Sequence, residues 1–240
     1  MHRFFADEKG IVNGMSMLES EDAQHASRVL RLQPGDEVTL FCEGEAYAAV
    51  IENMENGVSV RVGDKLRSPE ATVRVTLYQG VPKGDKMDYI VQKCTEGGIH
   101  CIVPVNMPRC VAKLEGKDDK KRVRWQRIAR EAAKQAFRPI TPEIAPAVSM
   151  KQLPALLEKH QLVLAPWEDE HSVSLREALT GDITDVAVII GPEGGMSEED
   201  MAHFRQSGAR SVTLGPRIFR TETAGLAALI AIMTLTGNLE

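Results

Sequence analysis

The stretch Val186-Ala187-Val188-Ile189-Ile190 is apolar at every position, the pattern of a strand buried on both faces rather than one. Strand-like runs of similar character occur at 73–78, 101–105, 161–165 and 211–214, and helix-type patterns separate them. Over 85–96, Met87, Ile90, Val91 and Cys94 fall at i, i+3, i+4 and i+7, and Gly97-Gly98 ends the pattern. Further helices are expected at 150–160, 174–179, 197–207 and 222–235. Strands alternating with helices imply an α/β fold built on a parallel sheet covered on both faces.

The first 70 residues have a different rhythm. Pro34-Gly35-Asp36 reads as a turn, 36–41 as a strand, and Glu43-Gly44-Glu45 as the tip of a hairpin; 46–51 and 58–62 continue the pattern around Asn56-Gly57. One helix is expected over 21–30, with Ser20 as its N-cap. This is a small β-barrel or sheet module, and Arg67-Ser68-Pro69-Glu70 is a linker. The expected organisation of the 240 residues is therefore two domains, 1–70 and 71–240.

Several classes are disfavoured. The longest apolar segment, 224–235, is shorter than the roughly 20 residues of a membrane span and contains Gly225 and Thr234. The opening Met1-His2-Arg3-Phe4-Phe5-Ala6-Asp7-Glu8 has no signal-peptide core, so a cytoplasmic location is expected. The cysteines at 42, 94, 101 and 110 form no C-x-x-C pair, and no metal site is expected.

The net charge of -5 hides an uneven distribution. Residues 1–70 carry 7 basic against 13 acidic side chains, residues 71–150 carry 15 against 8, and residues 151–240 carry 7 against 13. The basic island is densest from Lys117 to Arg138. Within it Lys120, Arg124, Arg127, Lys134 and Arg138 are spaced to form one helical stripe, while Val123, Ile128, Ala132 and Ala136 lie on other faces and can pack inward. Such a stripe is either a solvated helix face or an edge that tracks a phosphate backbone.

Ligands of open parallel sheets sit at the carboxyl ends of the strands. Three stiff loops belong there: Ala165-Pro166-Trp167-Glu168, Gly191-Pro192-Glu193-Gly194-Gly195, and Gly215-Pro216-Arg217-Ile218-Phe219-Arg220. The helix after the second opens Ser197-Glu198-Glu199-Asp200, a capping box whose acids occupy the end a phosphate would use. P-loop and dinucleotide-binding fingerprints are absent. The acidic loops suit a ligand bearing positive charge, such as a sulfonium with an ammonium group. Helix capping alone explains the capping box but not Glu193.

The ordered set of motifs resembles a known family. It comprises Gly191-Pro192-Glu193-Gly194-Gly195-Met196-Ser197-Glu198-Glu199 and Leu214-Gly215-Pro216-Arg217-Ile218-Phe219-Arg220-Thr221-Glu222-Thr223-Ala224. With them stand His2-Arg3-Phe4-Phe5, Val29-Leu30-Arg31-Leu32, Pro82-Lys83-Gly84-Asp85-Lys86-Met87-Asp88 and Arg124-Trp125-Gln126-Arg127-Ile128. The set is similar to that of the bacterial ribosomal RNA small subunit methyltransferase E family, of the SPOUT superfamily. Ala136-Phe137 stands where that family commonly has Ser-Gly.

The resemblance implies a PUA-like β-barrel for RNA recognition over 1–70 and a SPOUT-type parallel sheet with a trefoil knot over 71–240. It also implies a homodimer, S-adenosyl-L-methionine as methyl donor, and methylation of N3 of uridine 1498 in 16S rRNA of the small ribosomal subunit. On that footing Leu164, Ala165, Gly191, Pro192, Glu193, Gly194, Gly195, Leu214, Gly215, Pro216 and Ile218 are the expected cofactor-binding residues. Arg220 is the expected catalytic cation, with Glu222 or Glu193 accepting the proton or orienting Arg220; the alternative is an Arg220–Glu222 pair that only braces the fold. Arg3, Arg28, Arg31, Arg124, Arg127, Lys134 and Arg138 are the expected RNA contacts. Two other readings stand beside this one: a non-catalytic RNA-binding assembly factor and a ribose 2'-O-methyltransferase.

Overall fold

The structure is a computed structural model, and it describes residues 1–114 and 119–239. The chain divides into two compact units: Met1–Glu70 with Ala133–Thr141, and Ala71–Ala132 with Pro142–Glu240.

The first unit contains β1 (His2–Phe5), β2 (Met15–Met17), α1 (Ser20–Gln24), β3 (Glu37–Cys42), β4 (Glu45–Asn53) and β5 (Ser59–Lys65). The sheet order is β1-β3-β4-β5-β2, antiparallel except for the β1–β3 pair. Its two edges meet through an Ala6–Leu18 bridge, with Asp7 N donating to Met17 O at 2.8 Å and Glu19 N to Phe5 O at 3.0 Å. The sheet thereby closes into a barrel and leaves few exposed edges. Register shifts in β4, on either side of Ala49, supply the extra curvature. Glu43 and Gly44 both take positive φ (50° and 78°), the tight hairpin geometry that matches strand twist. Phe4, Leu18, Val38, Leu40, Ile51 and Val60 fill the interior.

The helix expected over 21–30 differs. The α-helix stops at Gln24, a π-helical turn covers His25–Val29, and Ser20 lies inside the helix rather than capping it. Ser27 Oγ donates back to Ala23 O at 2.9 Å, a bond that competes with regular helix packing, and Arg31 then takes φ 54°.

The second unit contains β6 (Arg74–Gly80), α2 (Lys86–Glu96), β7 (Cys101–Asn106), α3 (Asp119–Gln135), β8 (Glu143–Ile144), β9 (Val148–Ser149) and α4 (Leu153–Leu157). They are followed by β10 (Leu162–Pro166), α5 (Leu175–Ala178), β11 (Asp185–Ile190), α6 (Glu198–Gln206), β12 (Arg210–Val212) and α7 (Thr221–Leu235). The sheet order is β12-β10-β11-β6-β7-β8, with β9 also on β7, and every pairing is parallel. Val186, Ala187, Val188 and Ile189 are all buried, as a strand covered on both faces requires. No described helix is long and apolar enough to cross a membrane.

Two expected helices change. The one over 150–160 shrinks to α4, with Pro154 in its first turn, where the missing donor costs no helical bond, and with Ser149 N donating to Gln152 Oε1 at 2.9 Å before it. In α3, Val123 faces solvent at 63 % exposure, and Trp125 packs inward with Nε1 donating to Asp88 Oδ1 at 3.1 Å. Lys117 and Asp118, at the start of the basic island, lie outside the described residues.

Candidate active site

Because β12, β10 and β11 are neighbours, the loops leaving their carboxyl ends converge. They enclose a cavity of about 440 Å³, a size suited to a small-molecule ligand. Pro166, Trp167, Glu168 and His171 line it from the first loop, Gly191, Pro192, Gly195 and Met196 from the second, and Thr213 through Phe219 from the third. Thr221 and Ala224 of α7 close the base.

The second loop is built for close approach. A Cβ on Gly191 would stand 2.8 Å from Met196 Cγ, and Gly195 needs φ 67° to turn back toward Pro192. Arg109 donates to Gly194 O at 2.9 Å and holds the turn from outside. Beneath it, buried Gln79 donates to Thr221 Oγ1 at 2.9 Å, and Thr221 donates to Gly191 O at 2.6 Å. This relay ties β6, the second loop and α7 together. Its polar groups are buried, so each bond is costly to leave unmade. Trp167 is fixed by its Nε1 bond to Met196 O at 3.2 Å and by the Arg205 guanidinium over its ring at 5.3 Å.

Glu170 pins the first loop to β12: Ser172 Oγ and Ser211 Oγ donate to its two oxygens at 2.6 Å each, and Ser172 N adds a bond at 2.8 Å. These donors hold its carboxyl down at about 2. At the second loop Ser197 and Asp200 form the expected capping box, Asp200 N donating to Ser197 Oγ at 3.1 Å.

The structure brings together Gly191, Pro192, Gly195, Leu214, Gly215, Pro216 and Ile218 in the cavity wall. Leu164 and Ala165 are not part of that wall: they are wholly buried inside β10, paired with its neighbours, and the wall starts at Pro166. Glu193 and Gly194 also point elsewhere. Glu193 turns to Lys83 N (3.1 Å) and Lys86 (3.1 Å), and Glu222 reaches the same Lys86 ammonium at 3.0 Å. Arg220 is the N-cap residue of α7 and is exposed next to the cavity-lining Phe219 and Thr221. Trp167, Glu168, His171, Met196, Thr213 and Thr221 also line the cavity; none was among the expected cofactor-binding residues, although Trp167 and Glu168 lie in the first of the three stiff loops. Their signal was a place within, or up to three residues from, the three stiff loops.

The seven expected RNA contacts separate into two groups. Arg28, Arg31, Arg124 and Arg127 are exposed, and Arg124 pairs with Asp88. The other three are turned into the first unit. Arg3 donates to the carbonyls of Lys134 (3.1 Å) and Gln135 (3.0 Å) and lies over the Phe137 ring at 5.3 Å. Lys134 meets Asp22 at 2.8 Å, a carboxylate whose side chain is 1 % exposed and which also accepts from Phe5 N at 2.7 Å. Arg138, 5 % exposed, pairs with Glu70 at 2.7 Å. The continuous stripe therefore fails after Arg127, because α3 ends at Gln135, buried Asp22 claims Lys134 and partly buried Glu70 claims Arg138. Phe137 explains the reversal: it takes φ 62°, a left-handed conformation natural to glycine, and its ring packs on Phe41 at 5.9 Å.

A family model described as an RNA methyltransferase domain matches residues 69–233, and one described as an RNA methyltransferase PUA domain matches residues 18–66. Fold and site together thus define an RNA methyltransferase-type α/β domain with a PUA barrel. Ribosomal RNA small subunit methyltransferase E of Bacillus subtilis is 32% identical over 226 residues, covering 90% of this chain and 88% of that protein. A methyltransferase from Legionella pneumophila, solved with the cofactor SAM bound, aligns with TM-score 0.85 at 32% identity over 97% of this chain and 96% of that one. The Neisseria gonorrhoeae ribosomal RNA small subunit methyltransferase E, bound to S-adenosyl methionine, aligns with TM-score 0.85 at 30% identity over 98% of both chains. The chain belongs to the ribosomal RNA small subunit methyltransferase E family.

Proposed function

We propose that this protein methylates RNA of the small ribosomal subunit, using S-adenosyl-L-methionine, at N3 of the uracil corresponding to uridine 1498 of 16S rRNA. The observation that carries the reading is the cavity at the carboxyl ends of β10, β11 and β12, with its glycine-lined second loop. Its fit to the cofactor is chemical as well as spatial: the wall is largely apolar, and Glu168 supplies a carboxylate facing Gly195. When bound, the cofactor supplies an electrophilic methyl group. The backbone of 191–195 and 214–218 holds the nucleoside part, and Trp167 and Ile218 exclude water from it.

Uracil N3 carries a proton and faces its pairing partner, so the target base must leave the stack to react. Arg220, beside the cavity and exposed, is placed to stabilise negative charge on a uracil carbonyl oxygen as N3 loses its proton. Glu222 and Glu193 are carboxylates held below their usual range. Burial opposes this, but their own backbone N–H groups and Lys86 outweigh it. Such groups serve better as fixed anions than as strong bases, which favours orientation of Arg220 over proton uptake. The same reading includes the family's homodimer and trefoil knot. Exposed apolar side chains such as Ile218 and Ile230 support the dimer, and the placement of β12 beyond β10 rather than beside β11 supports the knot.

The test is to incubate small subunits from a strain lacking the modification with the protein and S-adenosylmethionine, then digest and weigh the RNA. A methyl group on uracil N3 is expected; a ribose methyl, or cofactor binding without transfer, overturns the reading. Arg220→Ala should lower turnover by about 100-fold or more while leaving cofactor affinity within a few fold.

A further inference from the structure

The Pro82-Lys83-Gly84-Asp85-Lys86 segment has no part in the cavity wall, yet it meets the site from behind. Lys86 lies in the first turn of α2, and its ammonium is 3.1 Å from Glu193 and 3.0 Å from Glu222. Glu193 belongs to the loop that carries Gly191, and Glu222 follows Arg220 by two residues in the first turn of α7. Lys83 N adds a second bond to Glu193 at 3.1 Å. One cation thus joins α2, the second loop and α7, while the Gln79–Thr221–Gly191 relay separately ties β6 to the same loop and helix.

We propose that Lys86 is a positioning residue for methyl transfer: by gripping Glu193 and Glu222 together it locks the second cavity loop to the start of α7 and fixes where Arg220 points. The proposal rests on the function proposed above. It assigns Lys86 no contact with cofactor or uracil. Its action runs through two carboxylates that repel each other without it, so removing the cation between them makes the ionised form of at least one of them less favourable.

The charged and titratable groups around this point are few. Glu193 comes from the second loop, and Glu222 and Arg220 from α7; the buried Cys110 thiol also feels Glu193. Donation to the Glu222 carboxylate and then to Glu193 raises the Lys86 ammonium above its ordinary range, so it stays charged throughout the working pH range. Both carboxylates remain ionised beside it. Removing the cation should push at least one of them up by about one pH unit, the usual scale for a close ion pair. The acidic limb of the rate profile should move up with it, since the pocket needs both groups ionised.

The experiment uses the full chain with Lys86→Met and Lys86→Arg, S-adenosylmethionine as the cofactor probe, and small subunits lacking the methyl group as substrate. Cofactor affinity, kcat against pH, and carboxylate titration in the apo protein by carbon-13 NMR of labelled glutamate are measured together. The expected result is a loss of about 10- to 100-fold in kcat for Lys86→Met. Cofactor affinity should stay within a few fold, the acidic limb and one glutamate titration should move upward, and Lys86→Arg should restore much of the rate. An unchanged acidic limb and unchanged titrations in a folded Lys86→Met protein overturn the proposal, whatever happens to the rate. If the wild-type protein transfers no methyl group at all, the functional reading fails instead, and the glutamate titrations still decide whether Lys86 grips both acids.

Discussion

Glu170 shows how much of a binding wall can depend on one carboxylate that never meets the ligand. Its two oxygens gather Ser172 and Ser211, so the loop after β10 is fastened to β12, the strand paired with β10. A folded-state value near 2 against an ordinary 4.5 means that its contribution is present above about pH 4.5 and is lost as the pH falls toward 2. Glu170→Gln should therefore lower stability at neutral pH by about 2 kcal/mol, with the gap between variant and parent closing through that acidic window. Denaturant titrations at pH 7, 4 and 2.5 check it; a gap that stays constant would mean the hydroxyls bond the amide equally well. Such anchors leave little trace in sequence: Glu170, Ser172 and Ser211 are ordinary polar residues 2 and 41 positions apart. Gly191, Gly195 and Gly215 were legible because backbone demands restrict the residue type, whereas Glu170 is distinguished only by its partners.

At the level of elements, the strands that fill the two cores were legible, and the shortest strands were mostly not. β11 spans the six residues Asp185–Ile190 anticipated from its apolar run, and β3 and β7 follow theirs to within a residue or two. β2, β8 and β9 are too short for any period to register. The basic stripe failed for a different reason. Spacing alone placed Lys134 and Arg138 beside Arg127, but buried Asp22 and partly buried Glu70, more than 65 residues upstream, determine where those two point. Breaking a buried pair by deleting one partner strands a charge. Arg138→Ala should cost about 3 kcal/mol of stability while leaving the salt dependence of RNA binding unaltered. Thermal melts and a salt titration on the same variant separate the two; a shallower salt slope at wild-type stability would return Arg138 to the RNA-facing set.

For the molecule as a whole, a net charge of -5 must be reconciled with a polyanionic partner. Cations that remain on the surface matter more than the total, because phosphate contacts release counterions locally. Arg28 and Arg31 stand on the first unit around a π-helical turn and a left-handed residue, an irregularity of the kind that tends to accompany function. Replacing either with alanine should weaken RNA binding and reduce its salt slope by about one, measured on naked helix fragments and on assembled subunits. An unchanged slope would make that turn a structural irregularity only.

The barrel unit is discontinuous in the chain: residues 133–141 complete it by covering Phe41, neutralising Asp22 and pairing with Glu70. A ribosome making this protein releases the barrel strands first, then must extrude about seventy further residues before that cover emerges. Until then the nascent barrel carries a bare aromatic face and lacks the Lys134 cation that meets Asp22. A gene fragment cut at the linker should therefore yield an aggregation-prone product, and a partner that shields the nascent barrel would act during that interval of translation.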